Sequence, residues 1–221
     1  MFQNCFNILY LRRVPDAVVD RRSTNRIFVP FYIKANILEG LSYTVNFGPD
    51  VRLFKRGQFT GAITNRNRGG ISNAGIRNDQ EIGYTLENIL NYNKSFTGGH
   101  TLGVTALQSI QALNFQRHET QVSNLPYESQ LFHNIGTAEV KGDLTSRLQE
   151  WSLMSFMGRV KYDYNNKYLF SATLRADGSS RLSEGNKWAY FPGVSLGWRL
   201  LEEPFMDIVS WLDELKLRVS Y

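Results

Sequence analysis

SFMGRVKYDYNNKYLFSATLRADGSSRLSEGNKWAYFPGVSLGWRLLEEPFM, residues 155–206, is the stretch that decides the fold. It reads as three β-strands in succession. Between Phe156 and Tyr164, the side chains of Val160, Tyr162 and Tyr164 fall on one face and those of Arg159, Lys161 and Asp163 on the other. Asn165, Asn166 and Lys167 make a short turn. Tyr168, Phe170, Ala172, Leu174 and Ala176 then share a face opposite Ser171, Thr173, Arg175 and Asp177. After a polar loop, Tyr190, Val194, Leu196, Trp198 and Leu200 alternate with Gly193, Ser195, Gly197 and Arg199. Side chains along a strand alternate with period two, so these strands form a sheet with one apolar and one polar face.

Such a sheet suits two folds. A soluble sandwich or barrel turns the apolar face inward. A transmembrane barrel turns it to lipid, keeps the interior polar, and places aromatic girdles at both interfaces. Tyr164, Tyr168, Tyr190 and Trp198 sit near strand ends, and charged residues sit mid-strand on the polar face, as the second fold requires. Pattern alone leaves both open.

Working outward, hairpins are predicted at 31–48 around Leu38-Glu39-Gly40 and at 82–114 around a turn at 94–99. Leu215, Leu217 and Val219 alternate with Lys216, Arg218 and Ser220 in a last strand. About eight strands result, each near the roughly 9–11 residues that a tilted strand needs to cross a bilayer. Polar stretches at about 50–80, dense in Gly and Asn, and at about 115–149 read as long loops. Short and long connections therefore alternate, as in outer-membrane barrels. Residues 1–26, mixed in charge and broken at Pro15, read as an irregular polar segment preceding a strand-rich region at 27–221.

Bulk properties exclude more than they assign. Lys plus Arg is 25 and Asp plus Glu is 20, a net of +5 without a basic run, so no nucleic-acid partner is expected. The single cysteine, Cys5, permits no intrachain disulfide. No apolar run reaches the length of a membrane helix. His100, His118 and His133 lack metal-ligand spacing, GGISNAG lacks the Lys-Ser/Thr of a phosphate loop, and no GxSxG is present. Catalytic and metal residues are accordingly none, and nothing favours an enzyme. Asp177-Gly178-Ser179-Ser180 lacks calcium-loop spacing and reads as a turn. Trp188, Tyr190 and Phe191 read as an outer aromatic girdle rather than a sugar platform.

GRVKYDYNNKYLFSATLRADGSSRL (158–182), NKWAYFPGVSLGWRLLEEPFM (186–206) and LKLRVSY (215–221) resemble the C-terminal barrel of the SusC/RagA-like TonB-dependent outer-membrane transporters. RADGSSR is the most specific piece. Fainter echoes are YTLENILNYNKSFTGGHTLGV (84–104), LPYESQLFHNIGTA (125–138) and ILEGLSYTVNFG (37–48).

The resemblance implies an all-β antiparallel meander, a segment of a plugged barrel of about 22 strands in the outer membrane. It implies energy-coupled import of a bulky nutrient, a glycan or peptide. The implied partners are outer-membrane lipid, TonB and a SusD-like lipoprotein; no cofactor is implied. Lumen-facing candidates are Arg159, Lys161, Asp163, Arg175, Asp177 and Arg199, with interior ion pairing or plug contact as their plainest role. The aromatic girdle comprises Tyr162, Tyr164, Tyr168, Trp188, Tyr190 and Trp198. No plug, TonB-contacting box or signal sequence is expected within the 221 residues, and Leu215–Tyr221 is strand-like. A fragment of a longer protein is therefore expected, with a complete small protein, a passive barrel or a soluble sandwich module as alternatives.

Overall fold

The computed structural model describes residues 17–64, 66–206 and 211–221. The described residues hold nine strands and no α-helix. These are β1 (Val18–Phe28), β2 (Phe31–Leu38), β3 (Leu41–Thr60), β4 (Asn73–Phe96), β5 (His100–Ser123), β6 (Val140–Tyr164), β7 (Tyr168–Ser179), β8 (Trp188–Arg199) and β9 (Lys216–Ser220). They form one sheet ordered β1-β3-β4-β5-β6-β7-β8-β9, an antiparallel meander, with β2 also paired to β3.

Three expectations are corrected. Residues 18–26 are not irregular: β1 pairs with β3 from Val18 opposite Thr60 to Phe28 opposite Asp50. Its charges are strand-compatible because they pair. Asp20 accepts hydrogen bonds from Arg22 and Arg56, and Arg26 forks onto Asp50. β2 resumes the pairing at Phe31 opposite Phe47, in unchanged register, so β1 and β2 behave as one strand interrupted at Val29-Pro30. Proline offers no amide to a ladder, which explains the break. Residues 1–16 lie outside the described residues.

The long loops are also shorter than predicted. β3 runs to Thr60, β4 starts at Asn73, β5 runs to Ser123 and β6 starts at Val140. Polar composition, and Gly and Asn at 50–80, favour loops locally, but cross-strand pairing overrides so weak a preference. The connections 39–40, 61–72, 97–99, 124–139, 165–167 and 180–187 still alternate short and long. Finally, Phe191 stands opposite Arg175, on the polar face, whereas Trp188 and Tyr190 stand opposite Gly178 and Ala176 on the apolar one.

Two compact units divide the chain. The first contains the described part of 1–28 with 50–82 and 114–150. Its small core gathers Phe59, Ala74, Val122, Leu125, Phe132 and Ala138. The 124–139 connection supplies Phe132, whose ring lies over Gly57: a Cβ there would come within 2.2 Å of it. The Ser72 hydroxyl, itself buried, accepts the Leu125 amide, and Glu128 accepts the amide of Ala62 at 2.9 Å. The two long connections are thus fastened to each other. The second unit contains 29–49, 83–113 and 151–221 and carries the face pattern described next.

A prediction follows for the first unit. Gly57→Ala should expose the 124–139 connection to chymotrypsin, and Phe132→Ala should cost about 3–5 kcal/mol, as for a buried phenylalanine. In a Phe132→Ala background, Gly57→Ala should be nearly neutral. A full additional loss there would contradict the packing.

Candidate functional site

The Asn165-Asn166 turn sets the geometry of the second unit. Both asparagines have left-handed φ, 52° and 59°, and the Lys167 amide donates to the Tyr164 carbonyl at 2.9 Å. That is the twist a tight hairpin wants, and asparagine tolerates it best after glycine. Asp163 Oδ1 accepts the Asn166 amide at 2.8 Å. The register that results places Tyr162 opposite Phe170, which is itself opposite Leu196, and Val160 opposite Ala172, which is itself opposite Val194. Leu196 and Trp198 then stand opposite Val219 and Leu217. One face is apolar across four strands.

Every lumen-facing candidate falls on the other face. Arg159 is opposite Thr173, Lys161 opposite Ser171, Asp163 opposite Leu169, Arg175 opposite Met157, Asp177 opposite Ser155 and Arg199 opposite Lys216. Arg175 Nε bonds Asp177 at 2.8 Å, and Arg159 Nε donates to the Thr173 hydroxyl at 3.1 Å. The candidates therefore share a face but form one ion pair, not a cluster.

On the apolar face the turn end carries a continuous aromatic row. His100 stacks on Tyr164 at 4.7 Å, Tyr164 on Tyr168 at 6.3 Å, and Tyr168 on Trp198 at 6.4 Å. His100 Nδ1 also bonds the Tyr162 hydroxyl at 2.6 Å, so the aromatic row includes a histidine that alternation alone does not single out. Glu203, in the 200–215 connection, ties the row down. Tyr168 Oη donates to Glu203 Oε1 at 2.6 Å, Trp198 Nε1 donates to it at 3.0 Å, and Lys167 lies 3.6 Å from Oε2. The Tyr168 hydrogen bond first, then that of Trp198, holds the Glu203 carboxyl below its ordinary range. Trp188, at the far end of β8, stacks on Phe156 at 6.1 Å.

A polar row interrupts the apolar face. Tyr43 Oη donates to Asn88 Oδ1, and Asn88 Nδ2 donates to Gln108 Oε1, each at 2.6 Å. Next to it a shallow concavity of about 510 Å3 is lined by Leu90, Ala106, Phe156, Gly158, Leu174 and Tyr190. Three polar side chains on an apolar face are tolerable because each satisfies its neighbour. The sequence signal was present as gaps in the alternation at positions 88 and 108.

The first unit carries a separate charged wall. Arg77 and Arg117 both bind Asp79, at 2.6 and 2.9 Å, and Arg77 lies over the Phe54 ring. The Arg56 guanidinium first, then that of Arg22, holds the Asp20 carboxyl far below the usual carboxylate range. His133 packs on Phe132, and no cluster of metal-binding side chains occurs among the described residues. Among the described residues no helix is long and apolar enough to cross a membrane, which says nothing of strands.

The chain is 33% identical over 191 residues to the TonB-dependent receptor P39 of Formosa agariphila, covering 86% of the chain and 18% of that protein. It is 32% identical to TonB-dependent receptor P3 of the same organism, over 92% of the chain and 20% of the relative. A 38% identical stretch, 42% of the chain and 11% of the relative, matches the TonB-dependent receptor SusC of Bacteroides thetaiotaomicron. The chain belongs to the SusC-like TonB-dependent receptors. It spans about a fifth of the length of the Formosa relatives, at 18–20%. No family model matches it. The fold superposes on structures of the RagAB peptide transporter with TM-scores of 0.85 and 0.86, over 92% of the chain and 23% of theirs, at 15% identity. At that identity the likeness concerns the fold, and it places this receptor stretch on a barrel wall.

Two outcomes are expected. Asn88→Leu should leave Tyr43 Oη and Gln108 unpaired and cost about 1–3 kcal/mol in unfolding free energy; an unchanged unfolding midpoint would show the row to be incidental. Glu203 has a lowered folded pKa, so its contribution is complete above the unfolded value of about 4.3 and is lost as pH falls through the folded one. Unfolding midpoints between neutral and acid pH should therefore drop more in the wild type than in Glu203→Gln. Parallel curves would remove Glu203 from the account.

Proposed function

We propose that residues 27–221 form wall and external loops of an outer-membrane receptor that imports a bulky nutrient, an oligosaccharide or peptide, into the periplasm. The observation that carries this is the two-faced sheet: a belt of apolar side chains with aromatic rows at its ends, backed by a polar face. In lipid every backbone group must be paired within the sheet, and a closed barrel alone provides this for strands. β7 and β8, of 12 residues each, suffice to cross the hydrocarbon layer. β3 to β6, at 20–25 residues, continue beyond it. The three-residue turn 165–167 and the turns at 39–40 and 97–99 face the periplasm, and the 61–72, 124–139 and 180–187 connections face outward.

In this reading Arg159, Lys161, Asp163, Arg175, Asp177 and Arg199 line the lumen, and Tyr162, Tyr164, Tyr168, Trp188, Tyr190 and Trp198 anchor the wall at the lipid interfaces. Import is driven by TonB displacing a plug that the remainder of the receptor supplies. A SusD-like lipoprotein covers the external mouth. The relatives' names and the RagAB fold support this reading.

The test is energy coupling. Uptake of the nutrient by cells carrying the full-length receptor should be abolished by deleting TonB or by a protonophore. Uptake that persists unchanged under both treatments would make the protein a passive barrel.

A further inference from the structure

The polar row on the apolar face ends in a free donor. Donation runs from Tyr43 Oη to Asn88 Oδ1, and from Asn88 Nδ2 to Gln108 Oε1. Among the described residues Gln108 Nε2 makes no hydrogen bond, and Gln108 is only half-buried. Against hydrocarbon such a donor is left unsatisfied, a cost that no water relieves.

Nearby, a glycine has no reason within the fold. Gly158 lies inside β6, in a register that runs unbroken from Leu153 opposite Ser179 to Tyr164 opposite Tyr168, so it marks no bulge. Its φ is not left-handed, and beyond its chain neighbours a Cβ built there would meet no atom within 4 Å. Glycine weakens a strand interior; where bulge and bend are absent, it marks the close approach of another group.

Both features border the same hollow, the concavity of about 510 Å3, and no charged side chain lines it. Leu90, Ala106, Gly158 and Leu174 lie nearer the turns at 97–99 and 165–167 than Asn88, Gln108, Phe156 and Ala176 do. The hollow therefore descends from the polar row toward the middle of the apolar face. At its upper end Phe156 stacks on Trp188, in the aromatic row farthest from those turns. Interfacial aromatics mark the headgroup level of a bilayer, and the carbonyl that roots an acyl chain lies just beneath it.

We propose that this hollow is a lipid site. It takes one acyl chain of an outer-membrane lipid, whose root ester or amide carbonyl accepts a hydrogen bond from Gln108 Nε2. The chain then passes over Ala106 and Gly158, where the missing Cβ lets it approach the backbone. With no charge in the lining, the site reads the root and the chain rather than the headgroup. It rests on the barrel reading, in which this face meets lipid and the Trp188 end lies outward.

The experiment uses the full-length receptor in phosphatidylethanolamine vesicles. Two photoactivatable probes carry a diazirine on one chain near its root: a phosphatidylethanolamine with ester-linked chains, and its ether-linked counterpart, which lacks the carbonyls. Labelled residues are mapped by mass spectrometry, with Ile33 and Val194 as apolar-face positions outside the hollow. The ester probe should mark Leu90, Ala106 or Leu174 about fivefold more than Ile33 and Val194, the factor that corresponds to about 1 kcal/mol for one hydrogen bond. The excess should vanish with the ether probe. With the ester probe it should also vanish in Gln108→Leu and in Gly158→Leu, which fills the hollow. Heat-modifiable migration shows whether each variant is folded, and the two probes on the wild type decide the question without them. Even labelling across the face would reduce the contact to ordinary surrounding lipid and overturn the site. An equal excess with both probes would overturn the role of Gln108. A hollow left unmarked while Ile33 and Val194 are marked would mean that protein covers it, a second copy included, and would overturn the lipid occupant. Absence of label at all of these positions would take the barrel reading down with the site.

Discussion

Register across β6, β7 and β8 is the constraint on which everything else in the second unit depends. A slip of one residue would exchange the two faces of a strand entirely, turning Lys161 and Arg175 onto the apolar side. The slip is opposed locally by Asn165 and Asn166 in left-handed conformation and by Asp163 receiving the Asn166 amide. It is opposed globally by matching apolar partners: Tyr162 with Phe170, Phe170 with Leu196, Leu196 with Val219. Turn chemistry and face pattern select the same pairing, which is the agreement between levels that a well-determined fold requires.

Polar groups on the apolar face obey the same logic. Tyr43, Asn88 and Gln108 satisfy one another in a row, so none is presented unpaired to an apolar medium. Glu203 does comparable work at the turn end, receiving both Tyr168 and Trp198. Each device keeps the polar atoms of an aromatic or amide group satisfied on a face that is otherwise apolar. The first unit relies instead on arginine–carboxylate pairs and on Phe132 seated over Gly57.

The alternation from Phe156 to Arg199 was legible because period two over three adjacent strands leaves little ambiguity, and all six polar-face candidates fall where that alternation put them. Strand ends were less legible. Asp50 to Thr60 reads as loop by composition, yet Asp20, Arg26, Arg56 and Asp50 become compatible with strand once they pair across β1 and β3, a relation that no local window contains. Phe191 was grouped with Trp188 and Tyr190 by chemistry when parity separated it from both. Lys216 and Arg218 fall on the polar face by alternation, but their nearness to Lys161 depends on pairing with β8, which no local window contains. His100 joined the aromatic row by a long-range contact to Tyr162 and Tyr164.

The central claim is that the apolar face meets lipid. Nitroxide side chains placed singly at Leu174, Val194 and Leu196, and at Thr173 and Ser195 as counterparts, report the environment of each face in the full-length receptor reconstituted in bilayers. High accessibility to oxygen with low accessibility to a water-soluble nickel relaxant at 174, 194 and 196, reversed at 173 and 195, is the predicted result. Positions 174, 194 and 196 shielded from both relaxants would mean that the apolar face is packed against protein, and would contradict the account.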